Sequence, residues 1–194
     1  MSTPSKVVEG SSVSLGFSAL VALLQQVFER HGTSPEVAAI LASNCASAER
    51  DGAHSHGVFR MRGNLGSLDS GWVDGKAEPV IEAVAPGMLR ADGRNGFSLP
   101  VLAAAHDALI AKTRTNGIAM LSVRKAHHFS AVWPDIEPFA REGFIVLATV
   151  NSMASVVAVA PSAAVPARAL SSSVSFGPSL PVAAVDHGQA VRQP

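Results

Sequence analysis

Cysteine is almost absent from this 194-residue chain: Cys45 stands alone, so no disulfide can close within it. Its place in an apolar, helix-like stretch points to a small buried side chain rather than a nucleophile. Net charge is absent as well, because 15 basic residues are set against 15 acidic ones. Such a balance leaves no electrostatic footprint for nucleic acid or an anionic membrane, and small molecules or proteins remain as partner classes. The opening MSTPSKVVEG lacks a basic region followed by an apolar run, and no later stretch approaches the roughly 18 continuous apolar residues of a membrane span. The expectation is a soluble, cytoplasmic protein. Missing too are GxGxxG after a strand, GxxxxGK[ST], HExxH, paired CxxC and GxSxG, and no repeat announces a solenoid or propeller.

What is present is ample material for a core, with 47% apolar residues. FSALVALLQQVFERHG spaces Phe17, Leu20, Leu24, Val27 and Phe28 along one helix face, with Ser18 as the expected N-cap and Gly32 as the stop. TSPEVAAILASNCASAER predicts a second helix, in which Ser34 caps, Pro35 takes the first turn and Glu36 meets the positive end of the dipole. Residues 51–79 read as largely irregular, with a short helix in MRGNLGSLDSG. PVIEAV and GMLRAD, joined at Pro86–Gly87, predict a hairpin of edge or half-buried strands. SLPVLAAAHDALIAKTRT is an amphipathic helix ended by Gly117, and GIAMLSVRK begins a buried strand. HHFSAVWPDIEPFAREG predicts a helix disturbed by Pro134 and Pro138, and FIVLATVNS a compact apolar strand. Between Glu142 and Arg168 no charged residue occurs, and beyond residue 151 neither a helical nor a strand period is evident.

Two clusters carry chemistry. AHSHGVFRMRG, residues 53–63, places His54, Ser55 and His56 where a connection between elements can present them to a ligand, with His56 suited to proton transfer near neutral pH. The same side chains can equally serve a polar turn by bonding its backbone. Arg60, four residues after His56, faces the same way if a helical turn begins there and can hold a carboxylate, or it is a solvated arginine. His127 and His128, with Phe129 and Ser130, lie between a strand end and a helix start, a junction suited to an anion or equally to a simple cap. A histidine-ligated metal is a third reading, although no carboxylate or cysteine stands at a familiar ligand spacing.

DGAHSHGVFRM, the SGWVDG that follows, HHFSAVWPDIEPFAREG and the VNSM after the next strand together resemble the malate/L-lactate dehydrogenase-like oxidoreductases, which bind NAD(P)H without a Rossmann fold. Within that family the wording is most similar to members that reduce cyclic imino acids. The resemblance implies hydride transfer to the C=N carbon of Δ1-piperideine-2-carboxylate or Δ1-pyrroline-2-carboxylate. By matching position it makes His56 the proton donor, Ser55 its relay partner and Arg60 the substrate clamp, and sets His128, Phe129, Ser130, Ala131 and Val132 against the cofactor. NADPH is the expected nucleotide, NADH the other option, no metal is called for, and a homodimer is implied. A 2-keto acid of malate or lactate type is the alternative substrate, and an inactive fragment the alternative state.

The fold expectation is α/β: a helical region carrying the catalytic loop over residues 1–78, then a non-Rossmann NAD(P)-binding sheet-and-helix domain over 79–157. The likeness stops near residue 157, so residues 158–194 are expected to be a non-family, poorly ordered tail, with truncation or a frameshift as its origin.

Overall fold

The computed structural model describes residues 14–151, 156–157, 166–167 and 170–175. Two helices open the chain, α1 (Phe17–Arg30) and α2 (Pro35–Arg50). Gly16, not Ser18, is the N-cap of α1, and no side chain caps it. The apolar stripe reaches back to Phe17, so the helix starts one residue before the expected cap. α2 follows the sequence reading closely: Ser34 Oγ accepts from Val37 N at 3.2 Å, Pro35 occupies the first turn and Glu36 lies beside it. A single 3₁₀ turn (Val58–Arg60) leads into α3 (Met61–Asp69).

The sheet then begins with β1 (Val80–Ala85) and β2 (Met88–Phe97), the antiparallel hairpin expected at Pro86–Gly87. α4 (Ser98–Asn116) ends on Gly117, whose φ of 79° suits only a residue without a Cβ, and delivers the chain to β3 (Met120–His127), parallel to β2. The order is β1-β2-β3. This order bears out one expectation and corrects another. The hairpin is as expected, with β1 at the edge and β2 central and half-buried, its Leu89 and Ala91 covered where α4 packs across it. β3, expected to be buried, is the outer strand of this sheet and exposes Met120 and Val123. Its apolar composition is real, but composition does not say whether a neighbour is present on the far side.

α5 (Trp133–Arg141) starts six residues later than HHFSAVW suggested. Pro134 falls within its first turn, where the missing N–H costs nothing, and His128–Val132 form the connection before it. β4 (Val146–Asn151) does not extend the first sheet; it pairs antiparallel with β7 (Leu170–Ser175), and β5 (Val156–Val157) pairs with β6 (Pro166–Ala167). The alternation of helix and strand from residue 98 to 151 therefore stands, and the architecture is α/β with a mixed sheet. The expectation for the remainder of residues 158–194 lies outside the described residues.

The core is built by α1 and α2 through Leu24, Phe28, Val37, Leu41 and Cys45, closed by Met61, Val73 and Phe97. It thus spans the boundary expected at residue 78, and side chains from both sides of it exclude water together. Burial pushes the Cys45 thiol up to about 11, which fits the inert, packed role read from the sequence. Among the described residues no helix is long and apolar enough to cross a membrane.

Candidate functional site

The histidine loop hangs from the last turn of α2. Glu49 sits there, at the wrong end of the helix dipole for a carboxylate, and finds its partners in the loop instead. Its Oε1 meets His54 Nδ1 at 2.6 Å and its Oε2 accepts from Val58 N at 2.9 Å. Gly57 is pressed against it, since a Cβ there would come within 3.0 Å of Glu49 Cα. Backbone bonds from His56 N and Gly57 N to Ala53 O, at 2.8 and 3.1 Å, close the turn. His54 is thereby a strut of the loop, its side chain 71% exposed. Ser55 Oγ lies 3.0 Å from His56 Nδ1, and the His56 ring meets Trp133 edge-on at 6.3 Å.

His56 lines a narrow pocket with Asn44 and Cys45 of α2, Asn64 of α3, Phe97 and Ser98 at the β2–α4 junction, and His127, Phe129 and Ser130 after β3. The two sequence clusters are therefore brought to one place. The rings form a continuous wall: Phe97 and Phe129 meet at 6.0 Å, and Phe129 stacks on His127 at 6.1 Å. Ser130 Oγ donates to Asn44 Oδ1, tying the connection after β3 to α2. Asn64 Oδ1 and Ser98 Oγ are buried and have no hydrogen-bond partner. Buried polar atoms of that kind carry a cost that a ligand can offset.

The remaining expected residues are distributed around this pocket. Arg60 ends the 3₁₀ turn and does not line it, but its positive charge is felt at Cys45 on the pocket wall. Its Nε is buried without a hydrogen-bond partner. Ala131 and Val132 are buried at 2% and 4% exposure, so what they offer a ligand is backbone. His128 turns away to Asp135, Nε2 to Oδ2 at 2.5 Å, with the two side chains 11% and 3% exposed. Burial raises the Asp135 carboxyl above its ordinary range, and the neighbouring His128 only partly opposes this.

Several contributors escaped the sequence reading. Glu49 carries a faint signal, an acid in the last turn of a helix just before a histidine loop. His127 was named with His128 at the junction after the strand but left out of the cofactor segment. Asn44, Asn64, Ser98 and Asn95 reach their positions only through tertiary packing. Asn95 lies in a bulge where pairing between β2 and β3 breaks from Asp92 to Gly96, with φ of 49° at Arg94, 65° at Asn95 and 50° at Lys125. Its side chain bridges His127 and Trp72, joining SGW to the end of β3. Among the described residues no group of three or more His, Cys, Asp or Glu side chains is gathered for a metal ion.

Comparison with known proteins gives a consistent picture. Residues 15–169 match the family described as malate/L-lactate dehydrogenase. The chain is 55% identical over 157 residues to a Delta(1)-pyrroline-2-carboxylate/Delta(1)-piperideine-2-carboxylate reductase of Pseudomonas putida, covering 81% of this chain and 45% of that protein. The crystal structure of delta1-piperideine-2-carboxylate reductase from Pseudomonas syringae pv. tomato superposes with a TM-score of 0.72 at 56% identity, over 73% of this chain and 43% of that one. A malate dehydrogenase from Pyrococcus horikoshii reaches a TM-score of 0.75 at 23% identity, over 89% and 49%, a likeness of fold alone. The chain spans under half the length of the curated relatives it matches.

Proposed function

The chain belongs to the malate/L-lactate dehydrogenase family, and from that premise we propose that it reduces the C=N bond of a cyclic imino acid with a nicotinamide nucleotide. Δ1-piperideine-2-carboxylate and Δ1-pyrroline-2-carboxylate are the proposed substrates, the pair for which its relatives from Pseudomonas are named. The observation that carries this reading is the meeting of His56 with His127, Phe129 and Ser130 around one pocket.

The lining of that pocket has the chemistry for a flat polar ring, because Phe97, Phe129 and His127 offer faces and edges while Asn64 Oδ1 and Ser98 Oγ lack protein partners; its free space of about 10 Å³ is that of one water, so the walls must part to admit the ring. His128 to Val132 are the proposed cofactor segment, with NADPH preferred over NADH. When bound, NAD(P)H supplies the hydride that forms the new C–H bond as the C=N π bond opens. His56 gives the proton that completes the N–H bond on the substrate nitrogen. Ser55 supports this role: a hydroxyl donating to His56 Nδ1 keeps the transferable proton on Nε2. Arg60 is the proposed clamp for the carboxylate these substrates share: its Nε has no hydrogen-bond partner to hold the guanidinium in place, and the role requires it to turn into the pocket it does not now line. A second copy of the chain is the proposed partner, cytoplasm the proposed compartment.

The test is NAD(P)H oxidation by the 194-residue chain with Δ1-piperideine-2-carboxylate, Δ1-pyrroline-2-carboxylate, pyruvate and oxaloacetate. Turnover of the imino acids, cut by roughly 10²–10⁴-fold in His56→Ala, is the expected result. Preference for the keto acids would replace the C=N substrate by C=O. Absence of turnover together with no nucleotide-dependent rise in unfolding temperature would overturn the enzyme reading.

A further inference from the structure

The ring of His127 has its tautomer dictated by a chain of hydrogen bonds. Asn95 Nδ2 lies 2.9 Å from the Trp72 carbonyl oxygen, which can only accept, so the amide orientation is set with Nδ2 toward Trp72. Asn95 Oδ1 is then the atom 2.8 Å from His127 Nε2, and because that oxygen can only accept, Nε2 must carry the hydrogen. A neutral imidazole with its hydrogen on Nε2 has a bare lone pair on Nδ1. That nitrogen has no hydrogen-bond partner among the described residues, while the ring lines the pocket beside His56 and Ser130.

The bridge is held firmly. Asn95 sits at φ 65°, a left-handed conformation that asparagine tolerates better than most residues, and its carbonyl accepts from Asp74 N at 3.0 Å. The His127 ring is further packed against Trp72 at 6.0 Å and stacked on Phe129. Burial holds its imidazole below the usual histidine range, so the neutral form prevails at neutral pH.

We propose that His127 is a ligand-binding residue of this pocket, a hydrogen-bond acceptor fixed by Asn95 that selects a ligand presenting an N–H group. This rests on the pocket being the reductase site proposed above. Two parts of the reacting pair offer that chemistry, the ring nitrogen of the cyclic amino or imino acid and the carboxamide of the nicotinamide. Both place the N–H on a flat group suited to the aromatic wall.

Binding measurements on the full chain separate these sources. In the first arm, pyrrole-2-carboxylate is compared with furan-2-carboxylate, which keeps the shape and the carboxylate but puts an oxygen acceptor where the N–H was. In the second, NADPH is compared with its 3-acetylpyridine analogue, in which a methyl ketone replaces the carboxamide. The expected result is that the N–H ligand binds about tenfold more tightly in one arm, which names the source. In His127→Phe, which keeps an aromatic ring in the wall, that preference falls to within about twofold, and an unfolding midpoint equal to that of the wild type shows that the fold is intact. Asn95→Asp provides an independent variant: an ionised carboxylate on Nε2 favours the doubly protonated ring, Nδ1 becomes a donor, and the preference reverses. Equal affinities in both arms for the wild-type chain, or a preference that survives both substitutions, would overturn the role of His127 alone. Failure of the wild-type chain to bind any of the four ligands would overturn the reductase site along with it.

Discussion

Glu49 shows how one side chain sets the geometry of a loop it does not belong to, the loop proposed to be catalytic. Its two oxygens hold His54 Nδ1 and Val58 N on either side of His56, and Gly57 makes room for the carboxylate, since a Cβ there would collide with it. Glu49→Ala is expected to cost only about 1 kcal/mol in stability, because the residue is partly solvated, yet to lower kcat roughly 10- to 100-fold by loosening His56. Glu49→Gln, whose amide oxygen can still accept from Val58 N, restores most of that loss. Steady-state kinetics alongside urea unfolding checks both, and equal losses in the two variants would remove Glu49 from its positioning role. Asp135 gives a second residue-scale expectation. Its folded carboxyl titrates above the ordinary range because it is buried. Between the ordinary carboxylate pKa and the raised one, the folded state keeps a proton that the unfolded chain has released. Stability therefore falls as pH rises through that window. Asp135→Asn keeps an acceptor for His128 while removing the ionisation, so urea midpoints measured from about pH 4 to 7 should show a flatter slope than the wild type.

Elements differ in how far their own residues specify them. α2 is written locally in Ser34, Pro35 and Glu36, and Ser34→Ala is expected to destabilise the fold by about 1 kcal/mol in thermal or urea unfolding by exposing the need of Val37 N for a partner. α4 is legible for the same kind of reason: its amphipathic stripe stops at Gly117, where a positive φ is required. The β1–β2 hairpin follows from two apolar runs about a Pro-Gly turn. The exposure of β3 was not legible, since Met120, Leu121 and Val123 look the same whether a further strand covers them or not. The start of α5 was missed because His128 to Val132 carry helix-compatible residues, while the tertiary pairs His128–Asp135 and Ser130–Asn44 hold them as a connection. The site divides in the same way. His56 and its loop are announced by a dense local motif, whereas Glu49, Asn95 and His127 acquire meaning only when distant segments meet. Motif density reports what a segment contains; it does not report which neighbour will satisfy a carboxylate or fix a ring nitrogen.

At the scale of the molecule, the described residues leave apolar surface exposed along one series of elements. Ile118 is 76% exposed, Ile145 75% and Leu147 69%, and Met120 adds to them on β3. In the three-stranded sheet, only β1 and β3 are edges, and β3 lies parallel to the centre with Arg124 and Lys125 paired to Asp92 rather than guarding its outer side. An edge with exposed large side chains pairs readily with another polypeptide, and for a purified chain that polypeptide is a second copy. Sedimentation velocity should therefore show concentration-dependent self-association of the wild-type chain. Ile145→Lys combined with Leu147→Lys replaces exposed apolar side chains by charge without touching the core formed by α1, α2 and Phe97. The double variant is expected to sediment predominantly as a monomer, with stability changed by no more than about 0.5 kcal/mol per site, the usual range for surface positions. Association that persists unchanged would mean that copies meet elsewhere. A large loss of stability would mean that Ile145 and Leu147 are covered in solution by the same chain.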